Sequence, residues 1–329
     1  MADRTGVLLV QLGGPEKRRE LRSFLYELFV DPEILSIPSP FRQLAAFLIA
    51  VIRAPKSAET YERIGWSPIR RWSSRQAQLL EAELLQAGSP ALVRVGMTCS
   101  APFVEDALAE LKGAGVTRLV VLPLYPQYSV TTTRGAFARV TKALARMRWA
   151  VERLDAPEAW YDEPHFVAAH ADRVRAALAT MPGGDASETV ILYSAHSLPV
   201  STVEKQKDPY PRHVEGTVRA IDAALGARHR SRLGYQSKVG PVEWLGPATP
   251  DVLAELAKEG VRSVLVVPVA FVSDHVETLF ECRLLFGGEA AKLGIPHYAV
   301  TEGLNDHPDF VRSLAATVLS TLGRARRAA

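Results

Sequence analysis

The chain has 329 residues, with 39 Lys and Arg against 36 Asp and Glu for a net charge of +3, and 47% of its residues are apolar. That balance excludes a disordered or fibrous chain and gives no ground for expecting a nucleic-acid partner. The two cysteines, Cys99 and Cys282, exclude a disulfide scaffold and a four-thiolate zinc or iron–sulfur site.

The length suits one large domain or two of about 150 residues. Met1–Thr5 is polar, and the first apolar run, Val7–Leu12, ends in Gly13-Gly14-Pro15. No secretory signal is expected from such an opening, and the expected location is the cytoplasm. The longest apolar stretch, Leu44–Ile52, lies between Arg42 and Arg53. It falls well short of the roughly 20 residues that span a bilayer, and a run of this length is most often a buried helix.

Strand-like runs occur in chain order at Val7–Leu12, Leu92–Met97, Arg118–Leu124, Ala150–Leu154, Thr189–Ser194, Leu233–Gln236, Ser263–Ala270 and Tyr298–Thr301. Several are almost wholly apolar, as strands covered on both faces must be. The spacers are long enough for helices, so the pattern is that of parallel α/β units. Residues 105–125 and 250–270 match without a gap at a constant offset of 145, with Asp106/Asp251, Leu108/Leu253, Leu111/Leu256, Gly115/Gly260, Val116/Val261 and Pro123/Pro268 identical. Each copy reads as a helix, a glycine stop and a buried strand. The spacing implies two similar halves, divided near Leu154-Asp155-Ala156-Pro157: residues 1–155 and 156–329, with a closing helix over about 306–325 that packs back on the first half.

Ligands of open α/β sheets sit beyond the carboxyl ends of the strands, so the residues just after each strand are the candidates for chemistry. Gly13-Gly14-Pro15 lacks the spacing of a nucleotide loop and reads as a tight turn approaching a ligand. Tyr125-Pro126-Gln127-Tyr128-Ser129, leading into Val130–Thr133, reads either as a helix cap with packed tyrosines or as the wall of a flat, polar-edged ligand. His196, just past a buried strand, reads equally as a catalytic base or as a histidine bonded to a loop carbonyl; Ser194 and Ser197 beside it lack the GxSxG elbow of a hydrolase. In Phe271–Glu281, Ser273 is the expected N-cap, Asp274 lies in the first turn, and Glu277 and Glu281 share a helical face. One imidazole and one carboxylate in a cleft can bind a divalent metal weakly or move protons.

Taken in order, the stretches LLVQLGGP (8–15), LRSFLYELFVDPEIL (21–35), YERIGWSPI (61–69), LYPQYSVTTT (124–133), YSAHSLP (193–199), DPYP (208–211), QSKVGPVEWLGP (236–247) and FVSDHVETLFE (271–281) resemble ferrochelatase, the family that inserts Fe²⁺ into porphyrins in haem synthesis. The resemblance implies two similar Rossmann-like, chelatase-type α/β domains with a porphyrin cleft between them. It implies His196 and Glu277 as the catalytic pair, facing each other across the ring, with Glu281 joining them as a metal ligand. Tyr125, Ser129, Trp244, Asp274 and His275 become substrate-binding residues, and Phe41–Ile52 a lip with peripheral membrane contact.

The implied reaction gives protohaem from protoporphyrin IX with release of two protons. Its alternatives are a coproporphyrin III enzyme or a catalytically impaired porphyrin carrier. The partners implied are porphyrin and ferrous iron, without an organic cofactor or iron–sulfur cluster, in a monomer or homodimer. Three departures from the family pattern stand out. Arg283 and Leu285 replace acids after Glu281, Thr98 and Cys99 replace a polar pair after the second strand, and Arg134 stands in the stretch after Tyr128-Ser129, as a propionate partner or a surface residue. Arg324, Arg326 and Arg327 read as a frayed basic tail.

Overall fold

The computed structural model describes residues 4–35, 37–182, 188–238, 240 and 242–328. It divides into two compact units, Met1–Trp160 with Val311–Ala329, and Tyr161–Phe310. The first holds β1 (Thr5–Gln11), α1 (Leu21–Phe29), α2 (Phe41–Arg63), α3 (Ile69–Gln86), β2 (Ala91–Met97), α4 (Val104–Gly113), β3 (Arg118–Pro123), α5 (Gly135–Met147) and β4 (Glu152–Asp155). The second holds α6 (Pro164–Leu178), β5 (Val190–His196), α7 (Val200–Gln206), α8 (Tyr210–Ala224), β6 (Ser231–Gln236), α9 (Thr249–Lys258), β7 (Ser263–Pro268), α10 (Gly287–Lys292) and β8 (His297–Val300), and α11 (Pro308–Ala328) ends the description.

Each unit has a four-stranded sheet, ordered β2-β1-β3-β4 in the first and β6-β5-β7-β8 in the second. Every pairing is parallel, with Val7 opposite Val93 and Val120 in one and Tyr193 opposite Leu233 and Val267 in the other. All eight expected strands are present, with no end shifted by more than two residues. β7 is buried along its whole length, as its apolar sequence requires.

The internal repeat is α4–β3 in one unit and α9–β7 in the other. Both helices stop at a glycine in the left-handed region, Gly115 (φ +73°) and Gly260 (φ +78°). The next residue then bonds back across the helix end, Val116 N–H to Leu111 O and Val261 N–H to Leu256 O. Leu108 and Leu111 pack with Val121 in one core, and Leu253 and Leu256 with Val266 in the other.

A second correspondence lies where a helix starts against a strand. A Cβ on Gly96 of β2 would stand 2.8 Å from the Cα of Val104, the first residue of α4. A Cβ on Gly234 of β6 would stand 2.9 Å from the Cα of Thr249, the first residue of α9. A third is the winding after the third strand of each sheet. Val130–Arg134 and Glu277–Phe286 are π-helical, each running into an α-helix that opens with glycine, Gly135 or Gly287. Such i→i+5 pairing is rare and concentrates at functional sites.

Two expectations change. α2 is not a buried apolar helix: Ala46, Ala50, Ala54 and Ala58 form its inward stripe, while Phe41, Leu44, Phe47, Leu48, Val51 and Ile52 are exposed. Small residues every four positions let the helix lie close to its neighbours, and the bulky ones take the opposite face. The C-terminal segment is helical to Ala328, so Arg324 and Arg327 belong to α11 and not to a frayed tail; the Arg326 side chain lies outside the described residues.

Candidate active site

In a sheet ordered like these, the strand order reverses beside the second-from-edge strand, and the crevice at that switch point receives ligands. In the second unit the switch lies between β5 and β7. His196 is the last residue of β5, paired with Gln236 of β6, and not a loop residue beyond the strand. Its main-chain carbonyl accepts the Tyr210 hydroxyl at 2.9 Å, and Asp208 accepts the Tyr210 N–H at 3.0 Å. The DPYP stretch therefore pins the backbone that carries the imidazole.

After β7 the chain makes a loop before its π-wound segment. Ser273 does not cap that segment, which has Val276 before its first residue and no side-chain cap. Asp274 is tied down instead: its carboxylate accepts from Asn305 Nδ2 (2.8 Å), Thr278 Oγ1 (2.8 Å) and Gly303 N–H (3.3 Å). A buried carboxylate must be paired, and these donors of the second unit do so. They fix the loop and thus the start of the π segment.

His196 Nδ1 lies 2.8 Å from Glu277 Oε2. His275 Nδ1 points to Ser273 O (3.1 Å), which leaves its Nε2 3.8 Å from Glu277 Oε1. The Phe271 ring packs edge-on to His196 and tilted against His275, with centroids 6.3 and 4.4 Å away. The 2.8 Å contact corrects the expectation that His196 and Glu277 face each other across a porphyrin. A ring between them would need about 7 Å, two van der Waals separations. The two groups form one hydrogen-bonded pair with no room for a ring between them.

The electrostatics follow from that contact. Burial opposes charge on His196, but the Glu277 carboxylate and its hydrogen bond, with Glu281 behind, outweigh it and raise the imidazole above its ordinary value. Burial likewise opposes charge on Glu277, yet His196 and then His275 hold it well below the usual carboxylate range. Burial and the neighbouring Glu277 charge raise Glu281, against the lowering effect of Ser237.

Glu281 does not stand free beside the pair. Ser237, the residue after β6, donates its N–H to Glu281 Oε1 at 2.7 Å. Its hydroxyl lies 2.7 Å from Glu277 Oε2 and also contacts Glu281 Oε2. Among the described residues no three His, Cys, Asp or Glu side chains are gathered to hold a metal ion. His196, Glu277 and Glu281 are thus a hydrogen-bonded chain, not a closed ligand set. Ser237 lies in the QSKVGPVEWLGP stretch but is not singled out there, because only the approach of β6 to the π segment gives it partners. Arg283 and Leu285 point outward and are exposed.

Below the pair, Gln236 Oε1 accepts Ser194 Oγ (2.6 Å) and Cys282 Sγ (3.1 Å). Trp244 is brought to the segment after His196 by a bridge with Pro199, flanked by Leu245 N–H to Leu198 O at 2.9 Å. Its indole N–H is buried and has no acceptor among the described residues. Val239 and Pro241 of the same stretch lie outside the described residues.

The remaining expected residues belong to the first unit. Ser129 caps the π segment Val130–Arg134 by accepting Thr131 N–H at 3.1 Å, and Tyr125 packs on the β-sheet core. Arg134 pairs with Glu33 at 2.8 Å. The Gly13–Gly14 turn packs closely on its own chain: a Cβ there would lie 2.2 Å from Ser100 Oγ or 2.5 Å from Ser67 Oγ.

Comparison with known proteins identifies the family. The ferrochelatase family pattern matches residues 4–322. A ferrochelatase of Gloeobacter violaceus is 42% identical over 322 residues, covering 97% of this chain and 98% of that one. One of Picosynechococcus is 42% identical over 328 residues, covering 98% and 84%. Among solved structures, SirB from Bacillus subtilis with Fe³⁺ aligns at a TM-score of 0.58 and 14% identity, covering 98% of this chain and 97% of that one. CbiX, described as the terminal enzyme of sirohaem biosynthesis in denitrifying bacteria, aligns at 0.50 and 15%, covering 96% and 98%. These distant likenesses establish the Rossmann-like chelatase fold, and the near-full-length identities place the chain in the ferrochelatase family.

Proposed function

We propose that the protein inserts Fe²⁺ into protoporphyrin IX, forming protohaem and releasing two protons, at the His196–Glu277 pair. The observation that carries this reading is the 2.8 Å contact at the switch point of the second sheet. A free porphyrin has two pyrrole N–H protons, and both must leave as the metal enters. A carboxylate only accepts hydrogen bonds, so Glu277 takes the Nδ1–H of His196, and Nε2 is left to receive a pyrrole proton. Glu277 then stabilises the imidazolium that results. Carboxylate oxygens and an imidazole hold Fe²⁺ without the grip of thiolates, which suits a metal that must move on. The unpartnered Trp244 indole N–H is available to a polar edge of the substrate.

α2 gives the proposal a setting. No described helix is long and apolar enough to cross a membrane. The exposed Phe41, Leu44, Phe47, Leu48, Val51 and Ile52 suit a helix lying on a bilayer surface. Beside Ala54, Pro55 and Ala58 of the same helix a groove of about 490 Å³ is lined by Arg18, Arg19 and Arg22, which favours anionic headgroups.

The test is anaerobic incubation of the purified protein with Fe²⁺ and protoporphyrin IX, with coproporphyrin III in parallel, following the visible bands. Conversion of protoporphyrin, lost in His196→Ala, is the expected result. Failure to metallate either porphyrin overturns the reading.

A further inference from the structure

Ser237 is a serine where the backbone favours glycine. Its φ is +68°, in the left-handed region that L-residues with a Cβ enter at a cost. The cost is not explained by the turn alone, since glycine would relieve it. What serine adds is a hydroxyl, and that hydroxyl touches both Glu277 Oε2 and Glu281 Oε2 while the main-chain N–H of the same residue holds Glu281 Oε1.

We infer that Ser237 is a positioning residue that gathers Glu277 and Glu281 into one oxygen-rich receiving site for the incoming ferrous ion. The inference rests on the ferrochelatase reading of this site. Two carboxylates four residues apart on one helix repel each other, and Glu281, only partly buried, would turn toward water if left alone. Ser237 opposes that from a separate element. Its two donors hold Glu281 by both oxygens and bring the Oε2 atoms of the two acids onto the same hydroxyl. A hydroxyl has one proton and donates to one carboxylate at a time, so the pair keeps an unmatched negative lone pair for a dication to satisfy. The strand end that aims Ser237 is itself fixed, because Gln236 is buried and bonded to Ser194 and Cys282. Positioning of this kind, one bond removed from the metal, acts on metal affinity more than on the chemical step.

The test compares Ser237→Gly and Ser237→Asn with wild type. Glycine removes the hydroxyl, keeps the N–H and relaxes the backbone, so its Tm should equal or exceed that of wild type. Its KM for Fe²⁺ should rise about tenfold or more with a smaller fall in kcat, while porphyrin affinity, read by quenching of tryptophan fluorescence, stays within about twofold. Asparagine tolerates the left-handed backbone and offers two N–H donors, so it should recover part of the iron KM. An unchanged iron KM in Ser237→Gly, or a parallel loss of porphyrin affinity, overturns the inference, as does an asparagine variant no better than glycine. Should Ser237→Gly not fold, Ser237→Ala is judged by the same readouts. Wild type inactive toward both porphyrins defeats the underlying reading, whereas an active wild type with an indifferent Ser237→Gly defeats only the role of Ser237.

Discussion

His196 and Glu277, 81 positions apart in the chain, are joined by a 2.8 Å contact that commits Nδ1 to the carboxylate and leaves Nε2 for exchange. Removing the imidazole by His196→Ala should cut turnover by about 100- to 10,000-fold, the usual worth of a positioned base. Glu277→Gln keeps the shape but not the charge, and should cost about 10- to 100-fold. Porphyrin affinity should change little in either variant. Steady-state kinetics beside a fluorescence titration separates the two effects, and a His196→Ala enzyme of near-normal turnover would refute the base assignment.

The same contact sets a pH dependence. His196 is raised above its ordinary value of 6.5 and Glu277 is held well below 4.5. The stability contributed by His196 is complete below its unfolded value and is lost as pH rises through the raised folded one. That of Glu277 is present above its unfolded value and is lost as pH falls through the depressed one. The pair therefore supports the fold between those limits. Turnover needs an unprotonated imidazole and should rise with pH on a limb displaced to the alkaline side of a free imidazole. Glu277→Gln should move that limb, and the NMR titration of His196, toward lower pH. A His196 that titrates at or below the free imidazole value in wild type contradicts this.

Gly96 and Gly234 permit close contact between a strand and the start of the following helix. Alanine at either position would put a Cβ under 3 Å from helix backbone, 2.8 Å from Val104 Cα or 2.9 Å from Thr249 Cα. Backbone cannot swing aside as a side chain does, so each change should destabilise the protein by about 1–3 kcal/mol. Urea unfolding of the two variants is the measurement, and a loss below about 0.5 kcal/mol would show that the helices shift freely.

On α2, Phe47→Glu together with Ile52→Glu should leave stability within about 0.5 kcal/mol, because both side chains are exposed. The same pair should sharply reduce co-sedimentation with vesicles containing anionic phospholipid. Equal recovery of wild type and variant with the vesicles would remove the case for a surface-lying helix.

Much of the fold is readable in the chain because it depends on local pattern. The apolar runs from Val7 to Leu12 and from Ser263 to Ala270 announce buried strands, and the offset that pairs Gly115 with Gly260 announces twin halves. The site is readable only in part. His196 and Glu277 can be singled out because one ends a strand and the other follows one, but their contact depends on how β5 and β7 are juxtaposed, and a spacing of this length carries no distance. Ser273 resembles a cap, yet Asp274 is captured by Asn305, 31 residues further on, and the helical segment starts later. The π winding of Glu277–Phe286 leaves no mark in composition, since the same residues suit an α-helix. α2 misleads for a related reason: its apolar residues suggest burial, and only the alanine stripe tells which face is covered.

If the two halves descend from one ancestor, the shared π winding after β3 and after β7 predates their separation. The common inheritance is then a piece of backbone geometry, and the side chains on it have diverged. One daughter copy furnished it with acids, at Glu277 and Glu281, and the other with hydroxyls, at Thr131, Thr132 and Thr133. An ancestor built of two identical copies would have carried the same groups in both, so the division between a segment of acids and one of hydroxyls is a specialisation written onto a common scaffold.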